Sequence, residues 1–223
     1  MLDSTRDERT VPGAPAPVRR LPHGRIGIAL HRLSSEWPES PEPDPAEGRP
    51  PLLLLHALGA SAQAWRAEPP AWPGAVHALD FAGHGASDPV RGGGYSPEYF
   101  LGDADRALGA IGDRAVVAGR GIGAYVAMLL AGARPDRVPA ALLLPGAGIE
   151  GGGARPGTDR WTILSLEAWE ARIATDSAAY AAGTDPAVSL ADHEYRPDAY
   201  VAGFAQAARR LLLCTEGADP GRM

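Results

Sequence analysis

The segment A-V-V-A-G-R-G-I-G-A-Y-V-A-M-L-L-A, residues 115–131, decides the fold of this 223-residue chain. Its first part, Ala115 to Ala118, is a short apolar run that is typical of a buried strand. Three glycines follow within five residues, and from Ala124 onward helix formers dominate. The pattern predicts a strand that bends sharply into a helix.

The turn Gly119-Arg120-Gly121-Ile122-Gly123 has the frame of a nucleophile elbow, G-x-S-x-G. In that motif a strained turn lifts a serine Oγ above the sheet, beside the backbone N–H groups of the next helix. Here Gly121 takes the serine position, and glycine adopts such backbone angles without a Cβ clash. The sequence predicts an elbow that keeps its shape and lacks its attacking atom.

Two other interpretations of the turn remain open, a flexible loop or a dinucleotide-binding G-x-G-x-x-G. The second would need Ala124 in place of the third glycine. That fingerprint usually follows the first strand of its domain, with an acidic residue about 20 residues further on. This turn follows at least two earlier strand signals, and Asp136 lies in a loop-like A-R-P-D-R. The surrounding sequence therefore favours the elbow.

Composition narrows the possible partners and compartments. A formal net charge of -6 without basic clusters argues against nucleic acid. The single cysteine, Cys214, cannot form an internal disulfide and sits in an apolar run, so we expect a buried thiol in a cytoplasmic protein. No apolar run reaches the roughly 20 residues of a membrane span, and the charged N-terminus lacks a signal peptide. No metal-ligand spacing occurs, so neither a metal nor a cofactor is expected.

Strand and helix signals flank the elbow. Strands are predicted at residues 25–33, 52–55 and 75–79, and a helix at residues 96–111. The strand at 52–55 is wholly apolar, as expected for a strand that is buried on both faces.

Four segments together resemble the α/β-hydrolase family, which includes esterases, epoxide hydrolases and haloalkane dehalogenases. They are L-L-L-L-H-A-L-G-A-S from residue 52, D-F-A-G-H-G-A-S-D from residue 80, the elbow itself, and A-R-P-D-R-V-P-A-A-L-L-L-P-G-A-G from residue 133. Each is weak alone, but their order and spacing match the family over residues 52 to 149.

The resemblance implies an α/β fold, a doubly wound and mostly parallel sheet with a helical cap insertion. It implies a core at residues 21–150, a cap at 151–200, and a core helix and penultimate strand at 201–223. Residues 1–20 are polar with three prolines, which predicts a disordered tail. Because the sequence ends at Met223, the last strand and the family's late histidine are expected to be missing.

The resemblance also implies site residues. The backbone N–H groups of Leu58 and Ile122 would be oxyanion donors, and Asp219 stands where the family often has its acid. Besides Gly121, this chain departs from the family's usual residues at two positions. It has His56-Ala57 where the family usually has H-G, and Arg120 where many members have a histidine. Arg120 needs a carboxylate or water beside it, or else reaches the surface.

Other residues could be recruited for chemistry, each with a structural alternative. The candidates and their alternatives are His84 (a tight turn), His56 (shaping the oxyanion loop), Glu150 (a solvated acid) and His193 (the cap surface). His193 is the last histidine in the sequence.

Without a serine and a placed base, the sequence predicts a non-hydrolytic or weakly active pseudo-hydrolase that binds a small molecule. The alternative is an active hydrolase or lyase with a non-standard catalytic set. The strand at 211–214 would have an unpaired edge, which predicts either a homodimer across that edge or limited stability.

Overall fold

A computed structural model of the chain describes residues 18–33, 49–67, 70–150, 170–171, 174–175, 177–192 and 194–214. The strands in this part are β1 (Val18–His23), β2 (Ile26–Arg32), β3 (Leu52–Leu55), β4 (Val76–Asp80), β5 (Val116–Arg120), β6 (Ala141–Leu144) and β7 (Leu211–Leu213). They form one sheet in the order β1-β2-β4-β3-β5-β6-β7. Strands β4, β3, β5, β6 and β7 are parallel, whereas β1 and β2 form an antiparallel edge. This is the mostly parallel α/β sheet that the sequence predicts.

Helices cover the sheet on both faces. Those with both ends in the described part of the chain are α1 (Gln63–Ala67), α2 (Pro97–Ala110), α3 (Ile122–Ala133) and α4 (Asp198–Ala207), with a 3₁₀ helix at Pro186–Asp192. The start of α2 is set by Ser96, whose side chain accepts a hydrogen bond from the Tyr99 N–H at 3.1 Å.

Strand β3 is buried on both faces, as its four consecutive leucines predict. Leu53 and Leu55 join the core that contains α2 and α3, whereas Leu52 and Leu54 pack with Trp65 of α1 on the other face. Because β4, β3 and β5 are neighbours and parallel, their carboxyl ends lie together. The loops that follow these three strands therefore form one end of the sheet, where open α/β folds place their sites.

The first strand corrects the predicted boundary of the N-terminal tail. Residues 18–20 belong to β1, in which Val18 is buried and pairs with His31 of β2. The prolines and arginines around this stretch conceal its short alternation, so only strand pairing reveals it. Residues 1–17 lie outside the described part of the chain.

The β7 strand forms the far edge of the sheet. Leu212 and Leu213 are 52% and 66% exposed, and Cys214, which follows them, is also exposed. The prediction of a buried Cys214 thiol is therefore wrong: the apolar run lies at the sheet edge rather than in its centre.

Among the described residues, no helix has both the length and the apolar character needed to cross a membrane.

Candidate functional site

The predicted elbow is present at the end of β5. The chain passes from Arg120 through Gly121, which has φ 59° and ψ -125°, directly into α3 at Ile122. These angles lie in a region that residues with a Cβ rarely adopt, so glycine relieves the strain of the turn. The Gly121 carbonyl accepts the Ala124 N–H at 2.9 Å, which starts the helix.

The space above Gly121 is filled by the protein's own backbone. A Cβ atom placed on Gly121 would lie 2.0 Å from the Ala147 carbonyl oxygen and 2.8 Å from the Gly146 carbonyl carbon. Both contacts are far inside van der Waals distance. In this conformation position 121 accommodates no side chain of any kind.

The same carbonyl oxygen accepts hydrogen bonds from both predicted oxyanion donors. The Leu58 N–H donates to Ala147 O at 3.2 Å and the Ile122 N–H donates to it at 2.8 Å. These two N–H groups, which we call the amide pair, come from the loop after β3 and from the start of α3. The two predicted donors therefore converge on one point, and the acceptor at that point is the protein's own Ala147 carbonyl.

Residues 146–149, which we call the blocking segment, reach the amide pair through unusual backbone angles. Gly146 and Gly148, on either side of Ala147, have φ of 154° and 84°. A Cβ on Gly148 would lie 2.8 Å from the Ile122 Cβ and 3.0 Å from the Leu58 Cβ. The P-G-A-G sequence after β6 therefore fits closely against the amide pair. The sequence analysis did not predict this contact, although two glycines on either side of one alanine indicate a backbone with unusual angles.

His56 and His84 lie beside the site as structural groups. His84 Nδ1 donates to Ala82 O at 3.0 Å and its Nε2 accepts the Gly59 N–H at 3.2 Å. Burial lowers the pKa of His84 to about 3, so its ring is neutral.

His56 is held in the same way. Its Nδ1 donates to Ala57 O at 2.8 Å and its Nε2 accepts the Phe81 N–H at 3.1 Å. Burial lowers the pKa of His56 as well. With all ring nitrogens of both histidines engaged, neither is free to act as a general base.

A buried carboxylate, Asp80, holds the surrounding loops. Its oxygens accept the Ala62 N–H at 2.6 Å, the Ala86 N–H at 2.9 Å and the His31 Nε2–H at 2.8 Å. Although burial opposes ionisation, the interactions with His31 and the backbone donors bring the pKa of Asp80 below its ordinary value. Asp80 fixes the two loops that carry His84 and the residues after Leu58.

Residues 177–192 cover this end of the sheet. The Ala181 N–H donates to Gly59 O at 2.7 Å, and the Asp185 N–H donates to Gly83 O at 2.8 Å. The Asp185 carboxylate also accepts the Tyr95 hydroxyl at 2.6 Å. This segment comes from the predicted cap region, and the residues 151–169 that precede it lie outside the described part.

Two arginines flank the elbow. Arg120 is exposed, with its guanidinium 5.6 Å from the centre of the Trp65 ring, which agrees with the surface alternative for this residue. Arg196, which sequence reasoning missed, stacks 4.1 Å over the Tyr125 ring, and its Nη1 donates to Ile149 O of the blocking segment.

Of the predicted residues that remain, the structure describes Glu150 alone. Glu150 is exposed and has no hydrogen-bond or ion-pair partner among the described residues. Asp219 and His193 lie outside those residues. Within the described ranges, no group of three or more His, Cys, Asp or Glu side chains is arranged to hold a metal ion.

Comparison with solved structures decides the fold. An α/β hydrolase from Novosphingobium aromaticivorans aligns with a TM-score of 0.61 and 20% identity, over 90% of this chain and 81% of that one. The chain has the α/β-hydrolase fold. A structure described as "Est816 as an N-Acyl homoserine lactone degrading enzyme" aligns with a TM-score of 0.55 and 20% identity, over 87% of this chain and 90% of that one.

The α/β-hydrolase fold is also found in a thioesterase domain from the curacin biosynthetic pathway, at a TM-score of 0.53 and 24% identity. That alignment covers 66% of this chain, which spans 49% of the length of that protein. No protein-family model matches the sequence, and no curated protein matches it. At these identities the shared feature is the α/β-hydrolase fold, and the function must be argued from the site.

Proposed function

We propose that this α/β-hydrolase-fold protein does not hydrolyse esters and instead binds a small molecule at the remodelled elbow. The observation that carries the proposal is the position of Ala147 O, which is hydrogen-bonded to both N–H groups of the amide pair directly above Gly121. An oxygen acceptor therefore already occupies the place where a substrate oxygen would be stabilised.

The chemistry of the site supports binding without cleavage. Acyl transfer needs a nucleophile and a base within roughly 2.6 to 3.2 Å of it. Gly121 supplies no nucleophilic atom, and the nitrogens of the nearby His56 and His84 rings are committed to backbone groups. The same glycine excludes the aspartate nucleophile used by some α/β-hydrolases.

An activity assay on the purified protein tests the proposal. Two solved structures of this fold are described as a thioesterase domain and as an N-acyl homoserine lactone degrading enzyme. The substrates should therefore be p-nitrophenyl acetate, an acyl thioester and an N-acyl homoserine lactone. We expect rates equal to the uncatalysed background with all three. Saturable turnover that disappears in a His193→Ala variant would instead establish the alternative, an enzyme with a non-standard catalytic set.

We also propose that two copies of the chain pair through β7. Among the described strands, β7 is hydrogen-bonded only to β6, and its Leu212 and Leu213 side chains are largely exposed. An open edge with apolar side chains is a template for pairing with another strand. Light scattering should give twice the 23.2 kDa mass of one chain.

A charged side chain introduced on the β7 edge should prevent the proposed dimer from forming. We expect Leu213→Lys to be monomeric, because a lysine on an edge strand opposes strand pairing. The matched control is Gly203→Lys, which adds the same charge on α4 at a position where a new Cβ meets no atom within 4 Å. A wild-type monomer, or a dimer that persists in Leu213→Lys, contradicts the proposal.

A further inference from the structure

The blocking segment presents two carbonyl groups to two different sets of donors. Ala147 O lies between the N–H groups of Leu58 and Ile122, and Ile149 O accepts a hydrogen bond from Arg196 Nη1. The two carbonyls are two residues apart, so they lie within about 7 Å along the chain. The donors come from the β3 loop, the start of α3 and the segment before α4, and together they hold one short stretch of peptide.

Arg196 has further donors that this peptide does not use. Its Nε and Nη2 atoms are buried and have no hydrogen-bond partner within the described part of the protein. Buried donors without acceptors cost free energy, and an incoming acceptor would recover it. The guanidinium is held in place by its stacking on Tyr125.

The charges around Arg196 favour a neutral ligand. The carboxylates of Glu98, Asp192 and Glu194 all act electrostatically on Arg196, yet none forms an ion pair with it in the described residues. An anion bound at the guanidinium would face these three negative charges. A neutral carbonyl oxygen, like that of Ile149, accepts the same hydrogen bonds without that repulsion.

The blocking segment lies partly at the surface, and Ile149 is its one side chain that packs against the core. Gly146 and Ala147 are exposed, and the only side chain between the two glycines is a methyl group. Glycine loses more conformational entropy than other residues when it is ordered, so release of Gly146 and Gly148 is favoured by entropy. Departure of the segment would leave the amide pair and Arg196 open to a ligand.

We propose that the blocking segment is an internal stand-in for a ligand, and that the site takes a neutral molecule with two amide-type carbonyl oxygens two residues apart, as the outer carbonyls of an N-acetylated dipeptide amide are. One oxygen binds the amide pair and the other binds Arg196. This inference rests on the proposed function, because the ligand is bound and not cleaved.

A variant that expels the blocking segment tests the inference. Valine at position 148 would place its Cβ 2.8 Å from the Ile122 Cβ and 3.0 Å from the Leu58 Cβ, so Gly148→Val cannot keep the segment in the site. Gly92→Val is the matched control, since Gly92 has a similar φ of 89° and no atom within 4 Å of a new Cβ. Gly148→Ala is a milder second variant if Gly148→Val does not fold, as judged by circular dichroism.

The probe is N-acetyl-alanyl-glycinamide, titrated while the backbone amide resonances of Leu58 and Ile122 are followed by NMR. We expect about tenfold tighter binding to Gly148→Val than to the wild type or Gly92→Val, with shifts of both resonances. Adding Arg196→Met to Gly148→Val should weaken binding about tenfold, as expected for loss of a hydrogen bond to a charged group.

Three results would overturn the inference. They are a folded Gly148 variant whose two resonances do not respond to the probe, equal binding of N-methylacetamide, which has a single carbonyl, and tighter binding of the free acid N-acetyl-alanyl-glycine. Hydrolysis of p-nitrophenyl acetate by the same sample is a separate outcome, because it would overturn the proposed absence of hydrolysis and leave the binding result intact.

Discussion

Replacing Gly121 by serine should destabilise the protein and create no esterase activity. The new Cβ would lie 2.0 Å from Ala147 O, in a residue with φ 59°. Strain at such a backbone conformation costs about 1 to 3 kcal/mol, and overpacking costs about 1 to 3 kcal/mol more. We therefore expect the free energy of unfolding to fall by about 2 to 6 kcal/mol in a urea titration, with p-nitrophenyl acetate hydrolysed at the background rate.

The control for this substitution is Gly92→Ser, which imposes a positive φ of 89° where a new Cβ meets open space. It should show only the strain contribution, and the difference between the two variants measures the clash with Ala147. A smaller loss in Gly121→Ser would mean that the blocking segment has moved away. Faster hydrogen exchange at the Ile122 amide would reveal that movement, whereas esterase turnover by Gly121→Ser would mean that a base lies within reach of position 121.

Acidification should weaken the fold well above the pH at which carboxylates titrate. His84 has an ordinary pKa of 6.5 and a pKa of about 3 in the folded protein, because it is buried. Between these values the unfolded chain binds a proton at His84 and the folded chain does not, so the free energy of unfolding falls as the pH decreases. The slope approaches about 1.4 kcal/mol per pH unit, or a loss of about 2 kcal/mol by roughly pH 5.

Other groups either add to this effect or act elsewhere on the pH scale. His56 adds to it, since burial lowers its pKa too. The hydrogen bond to Asp103 raises the pKa of His23, so its contribution is complete below pH 6.5 and is lost only as the pH rises through the folded value. The pKa of Asp80 is lowered, so the stability that Asp80 contributes is lost only as the pH falls below its ordinary pKa of 3.8. Burial raises the pKa of Asp103, so just above pH 3.8 the folded protein binds a proton at Asp103 more readily than the unfolded chain, which offsets part of the loss of stability.

The pH dependence of the free energy of unfolding, rather than its value at one pH, shows whether His84 is the group that titrates. Urea titrations between about pH 7 and about pH 5 should give a shallower dependence for His84→Gln than for the wild type. Ser87→Ala is the control, because it removes hydrogen bonds of 2.6 Å and 2.8 Å to Asp80 O and from the Ala29 N–H without removing a titratable group. An unchanged slope in His84→Gln would show that His84 is not the group responsible.

Much of the framework follows from local pattern. The apolar runs at residues 52–55 and 75–79 and the helix at 96–111 agree within a residue or so with β3, β4 and α2. The two strands are short buried runs, whereas the helix has a periodic apolar face and begins at the clear signal of the Ser96 cap. The β1 strand and the exposed Cys214 escaped prediction because pairing and position within the sheet determine them, and neither is a local property.

The sequence by itself determined the α/β fold, the strand-turn-helix at Gly121 and the absence of a side chain at the centre of that turn, because each depends on residues that are adjacent in the chain. Only the tertiary structure decided what lies above Gly121. Ala147 lies 26 residues after Gly121 in the sequence, and its carbonyl meets the amide pair because β5 and β6 are parallel neighbours whose following loops converge. Likewise, a buried environment, which no motif encodes, makes His84 a neutral support for the loop rather than a base.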